Sequence, residues 1–244
     1  MKTISNSSAQ ICKLNFSKVK AAEYQLNDVI ELIDITVIKY KLHEIENDWN
    51  RAPIEINKIK IGIIYHEIAV NLDFLDKTKF KGYAEKSYHV LTNLSLDPNT
   101  TQEFLPFITS YRASALSLFA IETMRIGLIR DAFKLFEDSI LQYSNVSYAP
   151  EFLRGSAAEN LPWFFLSKKK FAKIDMQSLI DKQNDNKEFA NNKIMSIVYW
   201  ARANQNKKNK SQALKYLDIA IALDPNYQAG RIKAEDLIDK LLLS

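Results

Sequence analysis

Turn formers are scarce in this chain, and that scarcity limits what it can become. Five glycines and six prolines are spread over 244 residues, whereas an all-β sandwich or barrel must turn roughly every 8–12 residues. Glycine supplies positive φ and proline presets a turn, so long stretches without either are best accommodated as helix. The rest of the composition agrees with a packed globular protein: 47% of the residues are hydrophobic and 25% charged, the ordinary range for such chains. One cysteine, Cys12, leaves no disulfide framework and no cysteine-rich zinc site. The first residues, 1–15, read as a flexible polar tail, and 16–244 as a single helical domain.

Helical periodicity is visible from residue 16 onward. Val29, Ile33 and Val37, with Ile30 and Ile38, recur at i, i+3, i+4 spacing and place Lys39, Lys41, Glu44 and Glu46 outside one apolar stripe, so a long N-terminal helix is expected over Val19–Ile45. Pro53 ends that pattern, because the residue before a proline avoids helical geometry. A second helix is expected over Ile54–Leu75. Further stops fall at Asp97-Pro98-Asn99, Asn145 to Pro150, Asn184 to Asn186 and Asp224-Pro225-Asn226.

Helical hairpins fit between these stops, and their second helices share a register. Ala132-x3-Phe136-x3-Ile140, Ala172-x3-Met176-x3-Ile180 and Ala213-x3-Leu217-x3-Ile221 follow one pattern, and Ala84-x3-Tyr88 with Leu91 is a looser copy. A small residue followed by bulky ones a turn and two turns later lets helices approach closely at one end and interlock at the other. The alanines are 48, 40 and 41 residues apart, the scale of a repeating unit that must stack on its neighbours to bury its apolar face.

The last unit is the most specific. Trp200-Ala201, Ala213, Leu217, Ala220 and the closing Leu223-Asp224-Pro225 resemble a tetratricopeptide repeat (TPR) over about 34 residues. The unit departs from that pattern at Lys208, where a small residue is usual, and at Asn204, where a tyrosine is usual. Other copies are degenerate: Ser110–Ser144 keeps Ala120, Gly127, Ala132 and Phe136 without the closing proline, and Leu94 to Asn99 repeats only the terminal signature. The resemblance implies an all-α superhelix of stacked hairpins with a C-terminal capping helix over Tyr227–Leu243, although the long spacing also admits a HEAT-like array. It further implies a concave face lined by first helices: Met195, Val198, Arg202 and Gln205, with Tyr199 near them, from the last unit, and Ser114, Ser117, Ile121 and Met124 from an earlier one. Val198 and Arg202 stand where the chaperone-tail-binding subclass carries its carboxylate clamp, so that subclass is not implied.

Little in the sequence points to catalysis. His43, His66 and His89 are evenly spaced, but neither His-Glu pair continues to HExxH, because Asn47 and Val70 occupy the second histidine's place. The plainer reading makes all three ordinary helix residues. No Gly-x-Ser-x-Gly elbow and no phosphate-binding glycine loop occur. Arg154 and Glu159 flank a small-residue segment before Pro162, where they either fix an irregular helix junction or form a polar notch for a partner; Asn160 is suited to backbone groups freed by the proline. Trp163-Phe164-Phe165 reads as core.

Net charge is +4 with 26 Lys against 7 Arg, dispersed in short runs such as Lys168-Lys169-Lys170, so no phosphate-binding face is expected. No apolar stretch near the amino end suits a signal peptide, and no membrane span is expected; a cytoplasmic location follows by default. The expected function is therefore a non-catalytic scaffold or adaptor that holds a protein or peptide, without metal, cofactor, nucleic acid or membrane. Arg112, Arg154, Tyr199 and Arg202 are the expected partner contacts, since Arg and Tyr carry interface energy disproportionately. An enzyme or small-ligand site assembled from distant residues is one alternative, and weak nucleic-acid binding is another.

Overall fold

The structure, a computed structural model, describes residues 14–162 and 165–243. Cys12 and most of the polar tail, together with Trp163 and Phe164, lie outside the described residues. Within these limits all regular structure is helical: α1 (Phe16–Leu26), α2 (Ile35–Arg51), α3 (Glu55–Val70), α4 (Lys77–Phe80), α5 (Tyr83–Leu96), α6 (Leu105–Glu122), α7 (Gly127–Tyr143), α8 (Ala149–Glu159), α9 (Leu166–Asp185), α10 (Asn192–Gln205), α11 (Lys210–Leu223) and α12 (Arg231–Leu242). Two 3-10 turns precede α4 and α6.

Most expected stops are real helix ends. Asp97, Asn186 and Asp224 stand at the C-caps of α5, α9 and α11. Pro106 and Pro150 fall in the first turns of α6 and α8, where a missing N–H removes no helical hydrogen bond.

The long N-terminal helix expected over Val19–Ile45 is not formed. Helix α1 stops at Leu26, residues 27–34 are non-helical, and α2 starts afresh after Asp34. The Asp34 carboxylate accepts hydrogen bonds from the Thr36 and Val37 amides at 2.7 and 3.1 Å, satisfying two of the donors that a helix start leaves open. Val29 and Ile30 are fully buried in the non-helical segment, whereas Val37, assigned to the same stripe, is exposed. Tertiary burial of Val29 and Ile30 thus outweighs the local period. The second helix also ends early, at Val70, where the Asn71 side chain donates to the Glu67 carbonyl at 2.9 Å.

The hairpin pairing follows the sequence register. Helix α3 packs on α5, α6 on α7, α8 on α9 and α10 on α11. Ala84, Ala132, Ala172 and Ala213, the small residues of the shared pattern, are all buried. Each pair also meets its neighbour: α6 packs on α3 and α5, α8 on α6 and α7, α10 on α9, and α12 on α10 and α11. At the last junction Gly230 is required by space, since a Cβ there would lie 2.6 Å from the Ser196 backbone. The stretch Gln102–Glu122, which ends in α6, is long and apolar enough by composition to cross a membrane. It was not among the runs that stood out in the sequence. Most of it is buried, because α3, α5, α7 and α8 cover it.

Candidate functional site

Residues 16–34 bridge the start of α10 and α3. Helix α1 is tied to the loop before α10 by stacking of Phe16 on Phe189, 6.4 Å between centroids, and by an Asn191 amide that donates to Glu23 at 2.9 Å. The following strap, residues 27–34, has no helical hydrogen-bond ladder, so side chains from the stack satisfy its backbone, as buried polar groups require. Lys193 on α10 donates to the Ile30 carbonyl at 2.6 Å. The Leu32 amide donates to Glu67 on α3 at 3.0 Å, and Asn71 donates back to the Leu32 carbonyl at 3.4 Å. Glu31 adopts φ +50°, a left-handed conformation uncommon for a residue with a Cβ.

A polar cluster is enclosed beneath the strap. The His66 imidazole faces the Ser114 hydroxyl at 2.8 Å through Nε2 and the Glu67 carboxyl at 3.3 Å through Nδ1, and its edge meets the Tyr111 ring at 4.9 Å. Burial pushes the Glu67 carboxyl up to about 8 and the Glu31 carboxyl up to about 7, the latter also through its proximity to Glu67. Burial drives His66 down to about 4 and holds Lys193 below its ordinary value. These shifts share one physical origin, the cost of keeping charge out of water. Burial, with the Glu31 and Glu67 carboxyls nearby, holds the Tyr111 hydroxyl well above its ordinary value, while the Tyr148 hydroxyl is buried without a partner among the described residues.

Serine, histidine and carboxyl thus line up as a nucleophile, base and orienting group do in acyl-transfer enzymes. His66, Glu67 and Ser114 are all buried. Ser114 sits inside α6, where the neighbouring amides belong to the helix ladder instead of facing a developing oxyanion. His43 and His89 are elsewhere, bonded to Asn47 and facing Glu85. Among the described residues no three His, Cys, Asp or Glu side chains converge as a metal ion would need.

Of the four residues expected to touch a partner, Tyr199 and Arg202 share α10 and both meet the Tyr216 ring, whereas Arg112 and Arg154 lie on other helices. Arg154 is buried and committed to Asp175 through two hydrogen bonds of 2.8 and 2.7 Å, with its guanidinium over the Phe171 ring. Glu159 does not meet Arg154; it accepts from Gln205 and Asn204 on α10. Asn160 bonds the Ser156 carbonyl, and Lys169 takes the Leu161 carbonyl beside Pro162. Arg202 is buried, donating to Gln205 and Gln177. Arg112 donates to Ser95, and Tyr199 packs against Tyr216. Of the residues expected on the concave face, Ser114, Ser117, Met195, Val198 and Arg202 are buried, whereas Ile121 and Met124 are exposed.

An open cleft remains at the C-terminal end of the stack. A cavity of about 610 Å³ lies between α10 and α12, lined by Trp200, Asn204 and Lys207 on one side and by Lys233, Asp236, Leu237, Lys240 and Leu241 on the other. The α12 residues follow helical spacing i, i+3, i+4, i+7, i+8, a signal present in the sequence; no local signal marks Glu31 or Tyr148, which are brought to their cluster by the fold alone. No protein-family model, no curated protein and no solved structure matches this chain.

Proposed function

We propose that this chain is a non-catalytic interaction module, a TPR-like superhelix of stacked helical hairpins that holds a partner protein or peptide. The repeated register of Ala84, Ala132, Ala172 and Ala213, all at hairpin contacts, supports the architecture. The α10–α12 cleft carries the functional reading. This cleft is an open concavity, and its volume falls within the roughly 300–1,000 Å³ of ligand sites. Partner contacts accordingly move from Arg154 and Arg202, whose guanidinium groups are engaged internally, to Trp200 and the cleft lysines.

Cross-linking of the tagged full-length chain in its source cell tests this reading. A partner should co-purify in fixed stoichiometry, with lysine cross-links at Lys207, Lys233 or Lys240. A chain that isolates alone, or cross-links only through distant lysines such as Lys58 and Lys134, would remove it.

A further inference from the structure

We infer that the α10–α12 cleft takes an acidic amphipathic segment of a partner, one that sets apolar side chains on the cleft floor and carboxylates at its rim. This deepens the interaction-module reading and rests on it.

The floor is apolar. Leu237 and Leu241 are nearly buried in the small cluster that α12 forms with α11, and the half-buried Trp200 forms the opposite wall. Leu243, which caps α12 and is 90% exposed, extends the stripe of Asp236 and Lys240. Trp200 and Asn204 on α10, followed by Lys207, face the α12 stripe, so two helical ridges bound the cleft as they do in grooves that receive a helix or short peptide.

The rim is cationic. Lys207, Lys233 and Lys240 meet a single carboxylate in the cleft, Asp236, and none of the three forms an ion pair among the described residues. Lys233 rests over the Trp200 ring at 4.9 Å. Glu31 of the strap also feels the Lys233 charge. Other surface lysines are held by acids at close range, as Lys41 is between Asp28 and Glu44 and Lys182 is on Glu151. Three unpaired ammonium groups around an apolar floor select a ligand that is greasy on one side and negative on the other, and charge complementarity of this kind steers encounter and excludes basic competitors. Lysine heads are point charges with no fork to match a planar group, so they suit carboxylates spaced along a peptide.

Fluorescence anisotropy with the full-length chain tests this, using a labelled two-heptad peptide with leucines at helical spacing and glutamates between them. Two further peptides, one with Lys for Glu and one with Ser for Leu, serve as comparison. The acidic leucine peptide should bind, and rising salt should weaken it. The combined Lys233→Glu and Lys240→Glu change should weaken it at least about tenfold, while the helical spectrum and melting temperature stay those of the parent chain. Equal binding of the lysine peptide, equal binding to the charge-reversed variant, or no binding would overturn the inference. If the cellular partner co-purifies equally well with the charge-reversed variant, the acidic-segment inference falls and the interaction module stands; if no partner co-purifies with either chain, the module reading itself falls.

Discussion

Arg154 and Asp175 show how one pair of residues can be conspicuous in a sequence for the wrong reason. A lone arginine among small residues on α8 suggests a contact surface, yet its partner lies on α9, 21 residues on, where no local pattern could announce it. The pair is buried, so removing one member leaves the other charge without compensation. Arg154→Met should cost about 3–5 kcal/mol, and adding Asp175→Leu should recover most of that, because a well-packed apolar pair replaces a desolvated ionic one. Chemical denaturation of the two variants measures both steps; a double variant no better than the single one would mean that Arg154 acts through something other than Asp175.

The cluster under the strap makes stability depend on pH in a definite direction. Glu31 and Glu67 have folded values of about 7 and about 8, against 4.5 ordinarily. Their protonated forms therefore favour folding, a contribution whole below pH 4.5 and lost as pH climbs through those folded values. His66 works oppositely: it is held at about 4 against 6.5, so its contribution is whole above pH 6.5 and lost on acidification through pH 4. Between pH 6.5 and 8 the His66 contribution is complete, and each carboxyl removes up to about 1.4 kcal/mol per pH unit. The melting temperature should fall across that interval, and Glu67→Gln, which keeps the side-chain shape without the titrating proton, should flatten the fall. Parallel curves for the variant and parent chain would show that Glu67 is not the group responsible.

At the scale of elements, the hairpins were legible and the amino-terminal segment was not. Ala84, Ala132, Ala172 and Ala213 repeat a packing requirement that is local to each hairpin, so spacing alone exposes it. Residues 27–34 answer to a different demand. Val29 and Ile30 are buried against helices more than 30 residues away, and a period of apolar residues cannot tell such burial from a helix stripe. The contrary signals were Asn27-Asp28 and Asp34, short polar side chains suited to ending and starting helices. Asp34→Ala should cost about 1 kcal/mol through the lost cap, and Asp34→Asn, which keeps the acceptor, should cost much less; equal losses would mean the capping bonds are not what holds α2's start. The cleft was legible in principle, since Lys233, Asp236, Leu237, Lys240 and Leu241 share a helix face. Only the placement of α10 across from them makes that face a cavity.

At the scale of the whole molecule, the strap changes what kind of array this is. Stacked hairpins touch only their neighbours, so such arrays tend to lose units one at a time. Here Glu23 meets Asn191, 168 residues away, and Ile30 meets Lys193, 163 residues away, so one segment near the amino end binds the fourth hairpin to the first. Val19, Leu26, Val29 and Ile30 join the same apolar cluster as Ile64, Phe107, Phe152 and Val198. The α11–α12 cluster joins it through Tyr199, Trp200 and Tyr216, which pack against both. Urea unfolding followed by helical signal and by tryptophan fluorescence should therefore give coincident transitions, the mark of one cooperative unit. Ile30→Asp places a charge where the strap meets the stack, and it should both lower the midpoint and separate the two signals, since the hairpins it had tied together then unfold on their own terms. A lower midpoint with the signals still coincident would mean that the hairpins are coupled through their own interfaces, and that the strap adds stability without adding cooperativity.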